Sequence, residues 1–254
     1  MKDLLKFEFR KFGKHKSFYI CLIIMTAMLL ISGVTYKILA DHASEIAEIT
    51  GGESLPLNCA DFILNFLSAS SFSLISAVFV AITVCDDYES KIIKTVYARG
   101  YSRSGFYFAK LVYVLVAVSV MFIVECAAAT VRGAAVFGLK GTEGKTALLL
   151  AVQYLACLSG AALYFALSVA IKKLGFSIAA GIFFPMIISL LLTLADSAIK
   201  TDKFKVADFW ISSFTTSLSS AADAKRIIVC AVLSAVYAAA FIGAGFAFAR
   251  KTEV

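Results

Sequence analysis

The chain has 254 residues, 61% of them hydrophobic and 16% charged, with a mean hydropathy of +0.89. A soluble domain is roughly 45–50% apolar and about 25% charged, so this composition excludes an ordinary soluble enzyme or binding module and predicts an all-α integral membrane protein. The net charge of +7 matters less for its size than for its placement along the chain.

Residues 1–16 read MKDLLKFEFRKFGKHK. On a helical wheel Met1, Leu4, Leu5, Phe9 and Phe12 share one side, and Lys2, Lys6, Arg10 and Lys14 lie largely opposite, with Phe7 out of the pattern. This predicts an amphipathic helix in the cytoplasmic interface, its basic face toward lipid phosphates. The plainer alternative is a positive topology signal. Gly13 suits the end of the helix. The segment does not read as a cleavable signal peptide: its charged part is too long, and the apolar run after it is long enough to span.

A bilayer core takes about 20 mostly apolar residues as helix. Six runs qualify, at 18–36, 62–85, 111–131, 147–171, 174–195 and 227–249, with no soluble domain between them. The chain is expected to be one transmembrane domain over 1–254. Lys and Arg concentrate in alternate connecting segments, fifteen on one side against eight on the other. Positive segments stay inside, which predicts a multi-pass cell-membrane protein with both termini cytoplasmic. The first outer segment, 41–61, agrees, since it carries five acids and no Lys or Arg.

Residues 86–110, DDYESKIIKTVYARGYSRSGFYFAK, hold the densest pattern. Tyr88, Ile92, Ile93, Val96 and Tyr97 recur at helical spacing and predict one apolar stripe on a cytoplasmic helix of three to four turns. Asp86, Asp87 and Glu89 would sit in its first turn, Gly100 would stop it, and Ser102 or Ser104 would cap the next helix. The stripe needs a cover, either this chain's own spans or a cytosolic partner.

Residues 138–146, GLKGTEGKT, end like a nucleotide-binding P-loop. That motif requires a first glycine at 139, where Leu139 stands, and a preceding strand. The stretch reads instead as an outer turn between two helices. Glu125 is the one carboxylate deep in a span, which marks it as functional by default. Arg132 lies seven residues on and near the same face, so an intrahelical ion pair, a substrate-path role and proton coupling all stand open. Pro185, with Gly175 and Gly181, predicts a bend in the fifth span, either a tolerated kink or a gating hinge. In the outer segment 197–226, Phe204, Phe209, Trp210, Phe214 and Leu218 suit one face of a short helix or helix pair. Trp at a membrane boundary is commonly a plain anchor. The six cysteines have no C-x-x-C spacing and read as small buried hydrophobes, and the two histidines are far apart, so no metal is expected.

The basic amphipathic N-terminus, six spans and an acidic-then-basic loop between spans two and three resemble the permease of a type-2 ABC exporter. In that family the loop often runs Glu, a helix of about ten residues, Ser-Arg, then Lys at the start of span three. Glu89, Ser102-Arg103 and Lys110 match those places. Ser90-Lys91 departs from the Gly-Thr that often follows the Glu. The resemblance implies that 86–103 is a coupling helix received by a separate cassette ATPase, with Tyr88, Glu89, Ile92 and Arg103 as its coupling residues. It also implies two permeases, as homodimer or heterodimer, and two ATPases per transporter, and partly re-entrant outer helices in 197–226. ATP would bind only the partner, so this chain is expected to be a non-catalytic permease with no cofactor of its own and no nucleic acid partner. Few polar groups line the spans, which favours an amphipathic or apolar cargo, and small permeases of this layout resemble exporters of antimicrobial or toxin peptides. Glu125 is the candidate on the substrate path. The rival classes are an intramembrane enzyme, whose G-x-S-G and D-x-x-D-G motifs are absent, and a secondary transporter, which would normally show inverted repeats.

Overall fold

A computed structural model describes residues 2–12, 16–41, 59–68, 70–138, 144–199, 206–211, 213, 218 and 224–251. Among these residues there is no strand. Lipid offers no partner to a backbone amide, so each crossing segment closes its hydrogen bonds within itself as helix. The helices are α1 (Lys2–Phe12), α2 (Lys16–Asp41), α3 (Cys59–Ser68), α4 (Ser70–Glu89), α5 (Ile92–Ala98), α6 (Arg103–Phe137), α7 (Gly144–Ile171), α8 (Leu174–Ile199) and α9 (Ala224–Lys251). A 3-10 turn, Val206–Phe209, lies between the last two.

Six stretches are long and apolar enough to cross a membrane: Lys16–Ile38, Cys59–Glu89, Arg103–Phe137, Lys145–Ile171, Leu174–Ala198 and Lys225–Arg250. They coincide with the six expected runs and extend beyond them. The second is built from two helices, α3 and α4. The segment 42–58 and the centre of the Gly-rich stretch, 139–143, lie outside the described residues, as do Gly13, Phe204 and Phe214. Around that stretch, Gly138 ends α6 with φ 69° and its N–H on the Ala134 carbonyl, while Gly144-Lys145-Thr146 opens α7. A helix, not a strand, precedes it.

The main core joins α2, α3, α4, α6 and α7 through Met25, Leu29, Phe62, Phe79, Tyr113, Met121 and Phe165. The most extensive helix pair is α7 with α9, which cross in the same direction because α8 returns between them. Gly245 permits this approach. A Cβ there would stand 2.7 Å from the Tyr107 hydroxyl and 3.3 Å from the Cα and Cβ of Ala166. The Tyr107 hydroxyl donates to the Ile242 carbonyl at 2.7 Å, tying α6 to α9 as well.

Burial is uneven. Only 6% of the α8 apolar window is covered by the chain, against 64% for Cys59–Glu89, so α8 lies at the edge. Phe176, Phe183, Met186 and Leu190 point away from the bundle and need lipid or another helix. Helix α8 runs through Pro185 without a break. Lacking an N–H, Pro185 leaves the Gly181 carbonyl without its helical donor. At Gly181 α8 also packs tightly on α4, where a Cβ would lie 3.2 Å from that of Ala77.

Candidate functional site

The segment 86–103 differs from the single long helix expected of it. Asp86, Asp87, Tyr88 and Glu89 form the last turn of α4, not the first turn of a new helix. The break falls at Ser90-Lys91. The Ser90 hydroxyl and N–H both donate to the Asp86 carbonyl, at 2.6 and 2.9 Å, and Lys91 turns left-handed with φ 57°. The second helix, α5, is therefore only seven residues long. Its end follows expectation: Gly100 has φ 84° and its N–H bonds the Tyr97 carbonyl. Ser102 rather than Ser104 caps α6, accepting from the Gly105 N–H at 3.1 Å.

Carboxylates in the last turn of α4 face the negative end of their own helix, which is unfavourable. The structure compensates two of them. Glu89 Oε1 accepts the N–H of Leu174 at 2.8 Å, so the side chain serves the positive N-terminal end of α8. Asp87 pairs with the Lys110 ammonium, which also pairs with Glu8 of α1 at 3.1 Å. All three groups are buried, Lys110 at 3% exposure and Glu8 at 0%. Lys110 was expected from the family pattern; the two acids that hold it were not.

The apolar stripe is covered by the chain itself. Ile93 and Val96 are buried against Leu4 of α1 and Phe106 and Ala109 of α6, with Tyr88, Ile92 and Tyr97 half-buried at the margin. The Arg103 guanidinium lies 6.0 Å from the Tyr97 ring centre, and the Lys172 ammonium 5.3 Å from that of Tyr88. Burial raises the Tyr97 phenol above its ordinary pKa, with Arg103 opposing; lost hydration lowers Lys172, and Arg103 nearby lowers it further. A pocket between Tyr88, Tyr97, Arg103 and Lys110 has about 10 Å³, the space of one water, and is too small for a cargo. Outward from α5 stand Lys91, Lys94, Thr95, Ala98 and Arg99, all exposed. The free face of this element is thus basic, and Glu89 and Arg103 are exposed at its two ends.

Deep in the bundle, Glu125 is fully buried at 0% exposure. Thr26 of α2 donates to its Oε1 at 3.0 Å, and Oε2 has no hydrogen-bond partner among the described residues. No ion pair joins it to Arg132 among those residues, which corrects the intrahelical pairing. Instead Arg132 lies across Gly33, where a Cβ would come within 2.5 Å of its Nε. Helices α2 and α6 cross in the same direction, so two residues seven apart on one meet two residues seven apart on the other.

At the opposite end, both oxygens of Asp196 accept backbone N–H groups, of Val206 and Ala207, each at 2.8 Å. Trp210 is buried edge-on against Tyr237 of α9 rather than turned out to a membrane boundary, and the Tyr237 hydroxyl donates to the Phe209 carbonyl at 3.2 Å. Residues 206–210 therefore bridge α8 and α9. All six thiols are free, and no group of acids, histidines and cysteines fit to hold a metal occurs among the described residues.

No curated protein matches the chain. The profile of the ABC-2 family transporter proteins does, over residues 4–196, which runs from the α1 turn that buries Leu4, through the Glu8–Asp87–Lys110 cluster and α5, to Asp196 in the last turn of α8. The chain belongs to that family, as a multi-pass membrane component of an ABC transporter.

Proposed function

We propose that the chain is the permease of an ATP-driven exporter of amphipathic, chiefly cationic peptides, working as a dimer with two cassette ATPases that dock on α5 from the cytoplasm. The observation that carries this reading is the seating of α5. Its apolar residues are held by α1 and α6, so the helix is braced from behind and offers the basic face of Lys91, Lys94 and Arg99. A receiving groove rimmed by acidic side chains complements that face. Tyr88 and Ile92 act behind the surface, fixing its height. Glu89 and Arg103 act at its ends, where each is also tied to this chain.

The double variant Lys94→Glu with Arg99→Glu tests the docking. It should insert and purify as wild type, while the ATPase retained with it falls by at least about tenfold, as for loss of charge complementarity at an interface. Full retention, with full export, overturns the proposal.

Both termini lie in the cytoplasm in this reading, supported by the fifteen-to-eight charge asymmetry. In a cysteine-free background, Lys140→Cys and Lys203→Cys should label from outside in intact cells. Labelling only after permeabilisation sinks the orientation, and the docking side with it.

The cargo reading rests on the lining. The spans are rich in Phe, Leu and Ala, and a strongly hydrated solute would lose its water there without compensation. Glu125 lies buried inside the bundle, one oxygen bonded by Thr26 and the other without a partner among the described residues, and its charge, acting through space, biases the path between two permease copies toward basic cargo. Glu125→Gln should lower export of cationic amphipathic peptides several-fold while sparing neutral ones, an effect of the size expected for one buried charge interaction. Equal loss for both classes makes Glu125 a packing residue, and transport of a sugar or ion in place of peptides removes the cargo assignment.

A further inference from the structure

Three ionised groups taken out of water are costly to keep, and they are retained only where their mutual attraction and geometry repay the loss of hydration. The Lys110 cluster joins groups far apart in the chain: Glu8 is 102 residues from Lys110 and Asp87 is 23. Each comes from a different element. Glu8 is on α1, Asp87 on the last turn of α4, and Lys110 in the second turn of α6. These are also the three elements that surround α5: α4 runs into it, α6 leaves it, and α1 packs on it through Leu4. The Lys110 ammonium lies 5.6 Å from the Tyr113 ring centre, and Phe9 of α1 meets the same ring edge-on at 6.3 Å. Two carboxylates share one cation, and Glu8 Oε1 has no hydrogen-bond partner among the described residues. A hydrophobic cluster would hold these helices together but leave them free to slide. A buried cation between two carboxylates fixes their register, because a shift of one residue would bury charges apart from one another.

We propose that Lys110 is a positioning residue for energy coupling: it locks α1, the end of α4 and the start of α6 into one unit with α5, so that a push on α5 displaces α1 and α6 together. This rests on the reading of α5 as the ATPase docking element. Without the lock, α5 would move against α1, and ATP turnover would no longer be matched to movement of the spans.

The test uses Glu8→Gln in the full chain, reconstituted in lipid nanodiscs. This change keeps side-chain size and leaves the Lys110–Asp87 pair intact, so the bundle stays folded. Hydrogen exchange of the α1 amides should rise at least about tenfold relative to wild type, with α7 and α9 unchanged. In complex with the cassette ATPase that co-purifies with the wild-type chain, cargo moved per ATP should fall by at least about fivefold while the amount of bound ATPase stays the same. Glu8→Asp, which keeps the carboxylate toward Lys110, should retain protection of α1 above that of Glu8→Gln. Unchanged exchange in Glu8→Gln overturns the lock. Loosened α1 with undiminished transport per ATP overturns the coupling role and leaves a structural staple. If the wild-type chain retains no ATPase, the docking assignment fails by itself, and the exchange result still decides whether the lock exists.

Discussion

Lys110→Met should destabilise the protein by roughly 3–5 kcal/mol, the range for removing one partner of a buried ion pair, and should be the most damaging single substitution at the α5 end of the bundle. Methionine fills much the same volume, so the loss is not one of packing. What remains is two buried carboxylates, Glu8 and Asp87, that have both lost the Lys110 ammonium. Lys110→Arg keeps the charge and should recover most of the loss, with a remainder from fitting a planar fork into a site shaped for an ammonium. Unfolding in mild detergent with increasing SDS, followed by circular dichroism, measures both. A loss below about 1 kcal/mol in the methionine variant would place the cluster among screened surface pairs, against its burial.

The second large effect belongs to Gly245. Gly245→Val should cost about 1–3 kcal/mol through overpacking, because its Cβ would sit 2.7 Å from the Tyr107 hydroxyl. Tyr107 cannot retreat cheaply. Its hydroxyl is bonded to the Ile242 carbonyl, and its ring is held by Phe165 and Phe246 at centroid distances of 5.2 and 5.7 Å. The sign of a double-mutant cycle makes this specific. Tyr107→Phe alone loses a hydrogen bond worth about 1 kcal/mol. In that background the clashing oxygen is gone, so Gly245→Ala should cost less than it does beside tyrosine. Strict additivity would mean that Ala166, not Tyr107, sets the limit.

The spans were legible because a bilayer imposes its own ruler: a run such as 174–195 has one use, and α8 realises it. The helix ends were not, because they answer to local chemistry. Helix α6 starts eight residues before its apolar run, at the point where Ser102 caps it. The stripe from Tyr88 to Tyr97 was equally visible, since spacing alone reveals it. Which surface covers it depends on where α1 and α6 lie, and no periodicity encodes that. The Glu8–Asp87–Lys110 cluster was hidden for a related reason. Glu8 and Asp87 stand among other charges of segments that read as solvated, Lys110 opens an apolar run, and burial is a property of the assembled bundle. Glu125 shows the converse error. Its spacing to Arg132 suggested a partner on the same helix, whereas Thr26 and Gly33 on the neighbouring helix receive the two side chains.

Helix α8 has little lateral cover, yet neither end is loose. At one end Glu89 holds the Leu174 N–H, and at the other Asp196 grips the turn that Trp210 seats on α9. Between these clamps, Pro185 leaves a gap in the backbone ladder at Gly181, the same point where the helix bears on α4. In mechanical terms α8 is a leaf spring: fixed at both tips, thinned near its middle, and resting there on a fulcrum. A load delivered through α4 at Ala77 bows such a spring away from the bundle instead of tilting it. An element clamped in this way would store such a load elastically and give it back on release.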